Sequence, residues 1–172
     1  LQEAFGWNRS EISLAVSINL VLFGLSGPLT AALMEKFGMR RVMVIALTTV
    51  GIAAALTSQI NATWQLYVLW GVVVGIGTGA TATVLSATVS NRWFTKRRGL
   101  VVGLLSASNA SGQLIFLPLL AWLVSTYGWQ SASITTAIAV LLVVPGVAIF
   151  MRNYPKDKDL RPYGATAETE PL

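Results

Sequence analysis

Met34-Glu35-Lys36-Phe37-Gly38-Met39-Arg40-Arg41 breaks an apolar run that begins near Ile12 and resumes at Val42. The break compresses three cations and one carboxylate into eight positions, and the flanks on both sides are almost free of charge. Two more such breaks follow, Arg92 to Arg98 and Arg152 to Arg161, and together the three clusters hold all of the chain's 12 lysines and arginines except Arg9. A soluble helix or strand keeps one wet face, so its charges recur every few residues. Here they vanish from stretches long enough to cross a bilayer.

Composition agrees with this pattern. Charged residues make up 11% of the chain, against roughly 25% in an ordinary soluble domain, and mean hydropathy is +0.65. The net charge of +5 flanks apolar spans and forms neither a continuous groove nor an aromatic-interleaved stripe, which argues against nucleic acid as a partner. There is no cysteine and no histidine, so neither disulfides nor thiolate chemistry is expected, and a metal site is not expected either. No cofactor is implied. No nucleophile with a base and no paired carboxylates stand out, and Gly75 to Gly79 lies within an apolar helix without the strand, turn and lysine of a phosphate loop. An enzyme is therefore not expected.

Five spans follow, at about 12–34, 42–60, 66–90, 99–124 and 131–151. A helix rises about 1.5 Å per residue and the hydrocarbon core is about 30 Å thick, so around 20 residues suffice. Runs this long in lipid must satisfy their own backbone groups, which selects helices, and the ten-residue alternation of a membrane barrel is missing. Residues 1–154 thus read as a transmembrane helical bundle, and 155–172 as a polar cytoplasmic linker or tail. Basic loops concentrate on the cytoplasmic side, which places the N-terminus outside and the C-terminus inside. Trp7, Trp64, Tyr67, Tyr127 and Trp129 then fall near the outer interface, and Trp93, Phe94 and Tyr154 near the inner one. An extracellular start without a leader implies a preceding span, so the chain reads as a fragment.

Within the spans, small residues recur four apart. Gly71, Gly75 and Gly79 in the third, continued by Thr83, share one helix face, and Gly99, Gly103 and Gly112 punctuate the fourth. Such rows let helices approach closely, and close, featureless contacts also suit the rocking of an alternating-access carrier. Pro28, Pro118 and Pro145 mark expected points of adjustment. Buried polar groups are few: Asn109 and Gln113, four apart on one face of the fourth span, Asn19 in the first, and Thr81 in the third. They serve either as interhelix hydrogen bonds or as the lining of a path for a small polar solute. No ionisable group lies deep within any span, so a coupling carboxylate or substrate-binding cation must come from elsewhere.

The loops carry a family resemblance. Ala31 to Arg41 resembles the cytoplasmic signature between the second and third helices of major facilitator transporters, with Ala31 in place of its first glycine and Glu35 in place of its aspartate. Trp93-Phe94-Thr95-Lys96-Arg97-Arg98-Gly99-Leu100-Val101-Val102-Gly103, with Gly6 to Arg9 and Gly128 to Gln130, resembles the monocarboxylate transporter and oxalate/formate antiporter-like group. The resemblance implies an all-α membrane protein, part of the N-terminal six-helix half of a major facilitator fold, with the five spans as helices two to six. Helix one and the C-terminal half would then lie outside this sequence. It also implies a cytoplasmic latch in which Glu35, with Gly38, Arg40 and Arg41, works with Arg92, Arg97 or Arg98. The expected activity is secondary transport of a small organic anion such as a monocarboxylate, by proton symport or anion exchange, across the cell membrane. A carrier for a sugar, drug or inorganic anion, or an inert truncated membrane protein, stands as the alternative.

Overall fold

A computed structural model describes residues 6–158 and 161–164, except the side chains of Thr83, Lys156 and Lys158. The expected continuation of the glycine row at Thr83, and residues 159–160 and 165–172 of the tail, therefore lie outside the described residues. Five helices are long and apolar enough to cross a membrane: α1 (Arg9–Phe37), α2 (Met39–Thr57), α3 (Thr63–Trp93), α4 (Arg98–Tyr127) and α5 (Trp129–Phe150). A 3-10 turn, Pro155–Lys158, follows. At 19 residues α2 is the shortest, about 28 Å long and a close match to the hydrocarbon core. α1, α4 and α5 continue through Pro28, Pro118 and Pro145.

Two of the turns are sharp because glycine permits them. Gly38 (φ 86°, ψ 145°) joins α1 directly to α2, and Gly128 (φ 86°, ψ 168°) joins α4 to α5. Side chains are essentially excluded from that region of backbone space. At the start of α3, the Gln65 side chain accepts hydrogen bonds from the backbone N–H groups of Asn61 (2.8 Å) and Ala62 (3.1 Å), replacing partners that the helix start lacks.

The glycine row of α3 faces α1. A Cβ added at Gly71 would stand 3.2 Å from Ile18 Cγ2, one at Gly75 would stand 3.0 Å from the Asn19 carbonyl, and one at Gly79 would stand 2.5 Å from the Phe23 carbonyl. Residue numbers rise together along both helices, so α1 and α3 run parallel. Gly77 points elsewhere, against Val50 and the Ala46 carbonyl of α2. α2 also meets α5 closely, where a Cβ on Gly51 would lie 2.7 Å from the Leu141 side chain. Met43 and Val147 share a cluster with Met34, Met39 and Val84, so α2 runs antiparallel to both α3 and α5. A second cluster, Ala15, Ile60 and Leu66 ringed by Trp7, Tyr67, Leu69 and Trp129, closes the opposite end. Of the five aromatics expected at that interface, Trp7, Tyr67 and Trp129 converge there, whereas Trp64 and Tyr127 are exposed.

α4 differs. It packs along α3 and α5, yet none of its residues is buried. Leu114 is 77% exposed and Leu104 68%. Nothing lies within 4 Å of a Cβ added at Gly99, Gly103 or Gly112, so the second glycine row meets no neighbour among the described residues.

Several hydroxyls inside the helices are spent on their own backbones. Thr78 and Thr57 donate to carbonyls four residues back, at 2.7 Å each, and Thr136 does so at 2.8 Å. Back-bonding of this kind lets a hydroxyl enter an apolar span without an unmet donor. The packing of α1 on α3 makes a direct prediction. Gly79→Ala must push a methyl into the α1 backbone and should cost about 3 kcal/mol, read as a lower thermal midpoint of the purified carrier. Gly24→Ala, where nothing lies within 4 Å, should leave the midpoint at or above that of the parent.

Candidate functional site

Two regions carry the residues singled out in the sequence: the middle of the helices and the end where the basic loops meet. In its first half, α3 is not a uniform α-helix. Tyr67–Val74 forms a π segment between α-helical Thr63–Leu66 and Gly75–Trp93. The wider turn disturbs the regular ladder, and such segments cluster at functional positions. Asn19 of α1 donates from Nδ2 to the Trp70 carbonyl at 2.7 Å, so its amide is engaged by the π segment. Thr81, half-buried, donates to the Thr78 carbonyl at 3.0 Å. Asn109 and Gln113 lie on the exposed face of α4 and bond to each other, Gln113 Nε2 to Asn109 Oδ1 at 2.8 Å. One amide N–H pair on Asn109 and the carbonyl of Gln113 are left pointing away from that bond. No hydrogen bond joins this pair to Asn19 or Thr81, whose partners are the ones just named.

At the other end all three basic clusters come together. The Asn153 side chain accepts a hydrogen bond from the Arg40 backbone N–H at 2.9 Å, capping α2 at its start. A Cβ on Gly38 would stand 2.9 Å from that same Asn153 oxygen, so glycine there serves both the turn and the cap. Asp157 holds Asn153 in place by accepting from the Asn153 and Tyr154 backbone N–H groups, at 3.0 and 3.1 Å. The Arg92 guanidinium lies 4.5 Å from the Tyr154 ring centre, within cation–π range. Its Nη1 is buried without a hydrogen-bond partner among the described residues.

The tail also reaches the second loop. Tyr163 N–H donates to the Trp93 carbonyl at 2.8 Å, and the Tyr163 carbonyl accepts from Thr95 and Lys96 at 2.9 and 3.2 Å. The Phe94 and Tyr163 rings pack at 6.1 Å. Arg97 sits in the left-handed region (φ 60°, ψ 26°), unusual for a side-chain-bearing residue, and Arg98 donates from Nε to the Phe94 carbonyl at 2.7 Å. The third cluster is thus more than a topology signal, because Asn153, Tyr154 and Tyr163 tie the first two loops together. Glu35 is exposed, and no ion pair joins it to Arg92 or Arg98 in this structure; Arg40, Arg41 and Arg97 are exposed as well.

The sequence matches known proteins. The family model of the Major Facilitator Superfamily matches residues 1–171. The chain belongs to that superfamily. Among its relatives, monocarboxylate transporter 13 of Rattus norvegicus is 29% identical over 147 residues, covering 85% of this chain and 34% of that protein. The MFS-type transporter YhjX of Escherichia coli is 31% identical over 147 residues, with 84% and 36% covered, and YcxA of Bacillus subtilis is 24% identical over 157 residues, with 90% and 38% covered. The chain spans about a third of the length of these curated relatives. It is therefore an all-α, multi-pass membrane protein of the major facilitator fold, related to transporters.

The Asn19 bond to the π segment separates the two roles open to that residue. Asn19→Ala leaves the Trp70 carbonyl without its donor and should cost about 1 kcal/mol, lowering the thermal midpoint while the substrate KM stays unchanged. A raised KM with an unchanged midpoint would instead assign Asn19 to the solute path.

Proposed function

We propose that this chain forms helices two to six of a secondary carrier that moves a small organic anion of the monocarboxylate class, by proton symport or anion exchange. The observation that carries this reading is the match of the monocarboxylate transporters across the described helices, 29% identical in the rat protein. The fold supplies a mechanism compatible with it. α1 and α3 meet along a seam where α3 presents only glycines, which packs the two helices closely enough to move as one body when the carrier rocks. No ionisable residue interrupts the middle of a span, so charge recognition and coupling fall to residues outside this sequence, in helix one and the second half. Asn109 and Gln113 present neutral donors and acceptors on the open face of α4, the face on which a reversible contact to a polar solute or a partner helix would be made. The carrier reading leaves no step for an enzyme.

In this proposal the basic loops lie at the cytoplasmic face of the cell membrane, and the lipid bilayer is the chain's main partner. Glu35, Gly38, Arg40 and Arg41 form one side of a latch whose other side is Arg92, Arg97 and Arg98. The tail supports it by holding the two loops in register through Asn153 and Tyr163. Glu35 has no ion-pair partner among the described residues, which fits a latch that engages in another state of the cycle. A carrier for a sugar, drug or inorganic anion is the alternative, since the family model matched is that of the superfamily as a whole.

Uptake assays separate these readings. The full-length carrier in liposomes should accumulate labelled lactate, formate or oxalate several-fold over empty liposomes, with a response to an imposed proton gradient for symport or to internal anion for exchange. Uptake of none of these anions by a carrier that moves another solute would overturn the anion assignment. Separately, Glu35→Gln should raise the reactivity of single cysteines placed in the cytoplasmic cavity. Equal reactivity in variant and parent would remove the latch.

A further inference from the structure

The ends of α2 and α5 nearest the basic loops frame a shallow cleft of about 820 Å3, whose wall includes the latch residues Glu35, Arg40 and Arg41. Lys36, Arg40 and Arg41 line it, and all three are exposed. Among the described residues Glu35 is the one carboxylate on its wall, so three cations face one anion there. Lys36 Nζ lies 5.4 Å from the Phe37 ring centre, and among the described residues no carboxylate pairs with any of the three cations. One helical turn along α2 from Arg40 and Arg41 the lining becomes apolar, with Val44 and Ile45, and Ala148 of α5 completes it. Ile45 is 65% exposed. The cleft is therefore charged at the loop end and apolar toward the middle of the helices.

That gradient selects its ligand. A free anion would be served by the cations alone and gains nothing from an apolar wall open to the side. A phospholipid has both parts, a phosphate at the level of the loops and acyl chains one turn deeper. Basic pockets between helices at the cytoplasmic interface suit anionic headgroups. The Arg side chains add planar donors that match phosphate oxygens better than a point charge does. We propose that the α2–α5 cleft seats an anionic phospholipid, its phosphate held by Lys36, Arg40 and Arg41 and its acyl chains lying along Val44, Ile45 and Ala148. The inference rests on the membrane-spanning placement of α2 and α5 and is independent of the cargo.

The seat also adjoins the tail. Asn153 and Tyr154 line the same cleft, and Asn153 caps the helix that carries Arg40 and Arg41. A bound phosphate would thus contact the part of the chain where the first and third basic clusters are joined.

The test is native mass spectrometry of the full-length carrier titrated with dioleoylphosphatidylglycerol in competition with dioleoylphosphatidylcholine. The parent should retain the anionic lipid preferentially. Arg40→Gln with Arg41→Gln should reduce that preference roughly tenfold or more, whereas Arg9→Gln, far from the cleft, should not. Ala148→Trp keeps every cation but fills the apolar wall, and it should also release the lipid. Equal retention by the double variant and the parent would overturn the proposal. So would tight binding of soluble glycerol phosphate that Ala148→Trp leaves unchanged, because it would mark a site for a free anion. Lipid retention is read without transport, so a failure of the anion-carrier reading does not bear on it.

Discussion

The approach of α1 to α3 is the contact on which the rest of the bundle depends. Between helices in lipid there is little hydrophobic drive, since acyl chains are as apolar as leucine, so cohesion comes from close packing and the few hydrogen bonds that cross. Gly71, Gly75 and Gly79 remove the side chains that would hold the backbones apart, and the α1 carbonyls of Asn19 and Phe23 come within contact distance of where a Cβ would stand. Asn19 then adds a polar bond at the one place where α3 departs from regular helix geometry. α2 completes this unit by packing on Gly77, the glycine beside the row, and α5 is carried on α2.

At the loop end a different physics applies. The basic clusters are wet, and mutual repulsion would spread them unless the backbone held them together. The groups that touch the first two loops are neutral, an amide cap from Asn153, a backbone pairing at Tyr163 and an aromatic face from Tyr154, with the Asp157 carboxylate behind Asn153. Neutral fasteners leave the cations free for partners outside the described residues, whether a latch carboxylate or a phosphate. The buried, unpartnered Nη1 of Arg92 belongs to the same pattern, since an orphaned guanidinium nitrogen is costly unless another state or another segment satisfies it.

The helical membrane fold was legible from the chain because charge and apolar length act over whole segments. The α3 row was legible as well, since four-residue spacing of glycine has one simple consequence in a helix. Other features were not. The π segment of Tyr67–Val74 is built of residues equally at home in an α-helix, and Asn19 betrays it only once its partner is known. The tail resembled a simple polar linker because Asn153 and Tyr163 act through a backbone cap and a backbone pairing, which depend on where the chain returns and leave no pattern in composition. Gly99, Gly103 and Gly112 show the limit from the other direction. Gly99 and Gly103 share the four-residue spacing of the α3 row, yet all three face open space among the described residues, because spacing marks a surface fit for close contact without naming what makes it.

The central claim is that α1 and α3 run parallel in one fixed register along the glycine seam. A Cβ at Gly71 stands 3.4 Å from Ile18 Cβ, close to the spacing a disulfide requires. In a full-length carrier without other cysteines and with a protease site in the α2–α3 loop, Ile18→Cys with Gly71→Cys should cross-link under mild oxidation. The cleaved halves would then migrate together until reduced, while Ile18→Cys with Gly79→Cys would come apart. Cross-linking of the second pair and not the first would contradict the register and, with it, this account of the bundle.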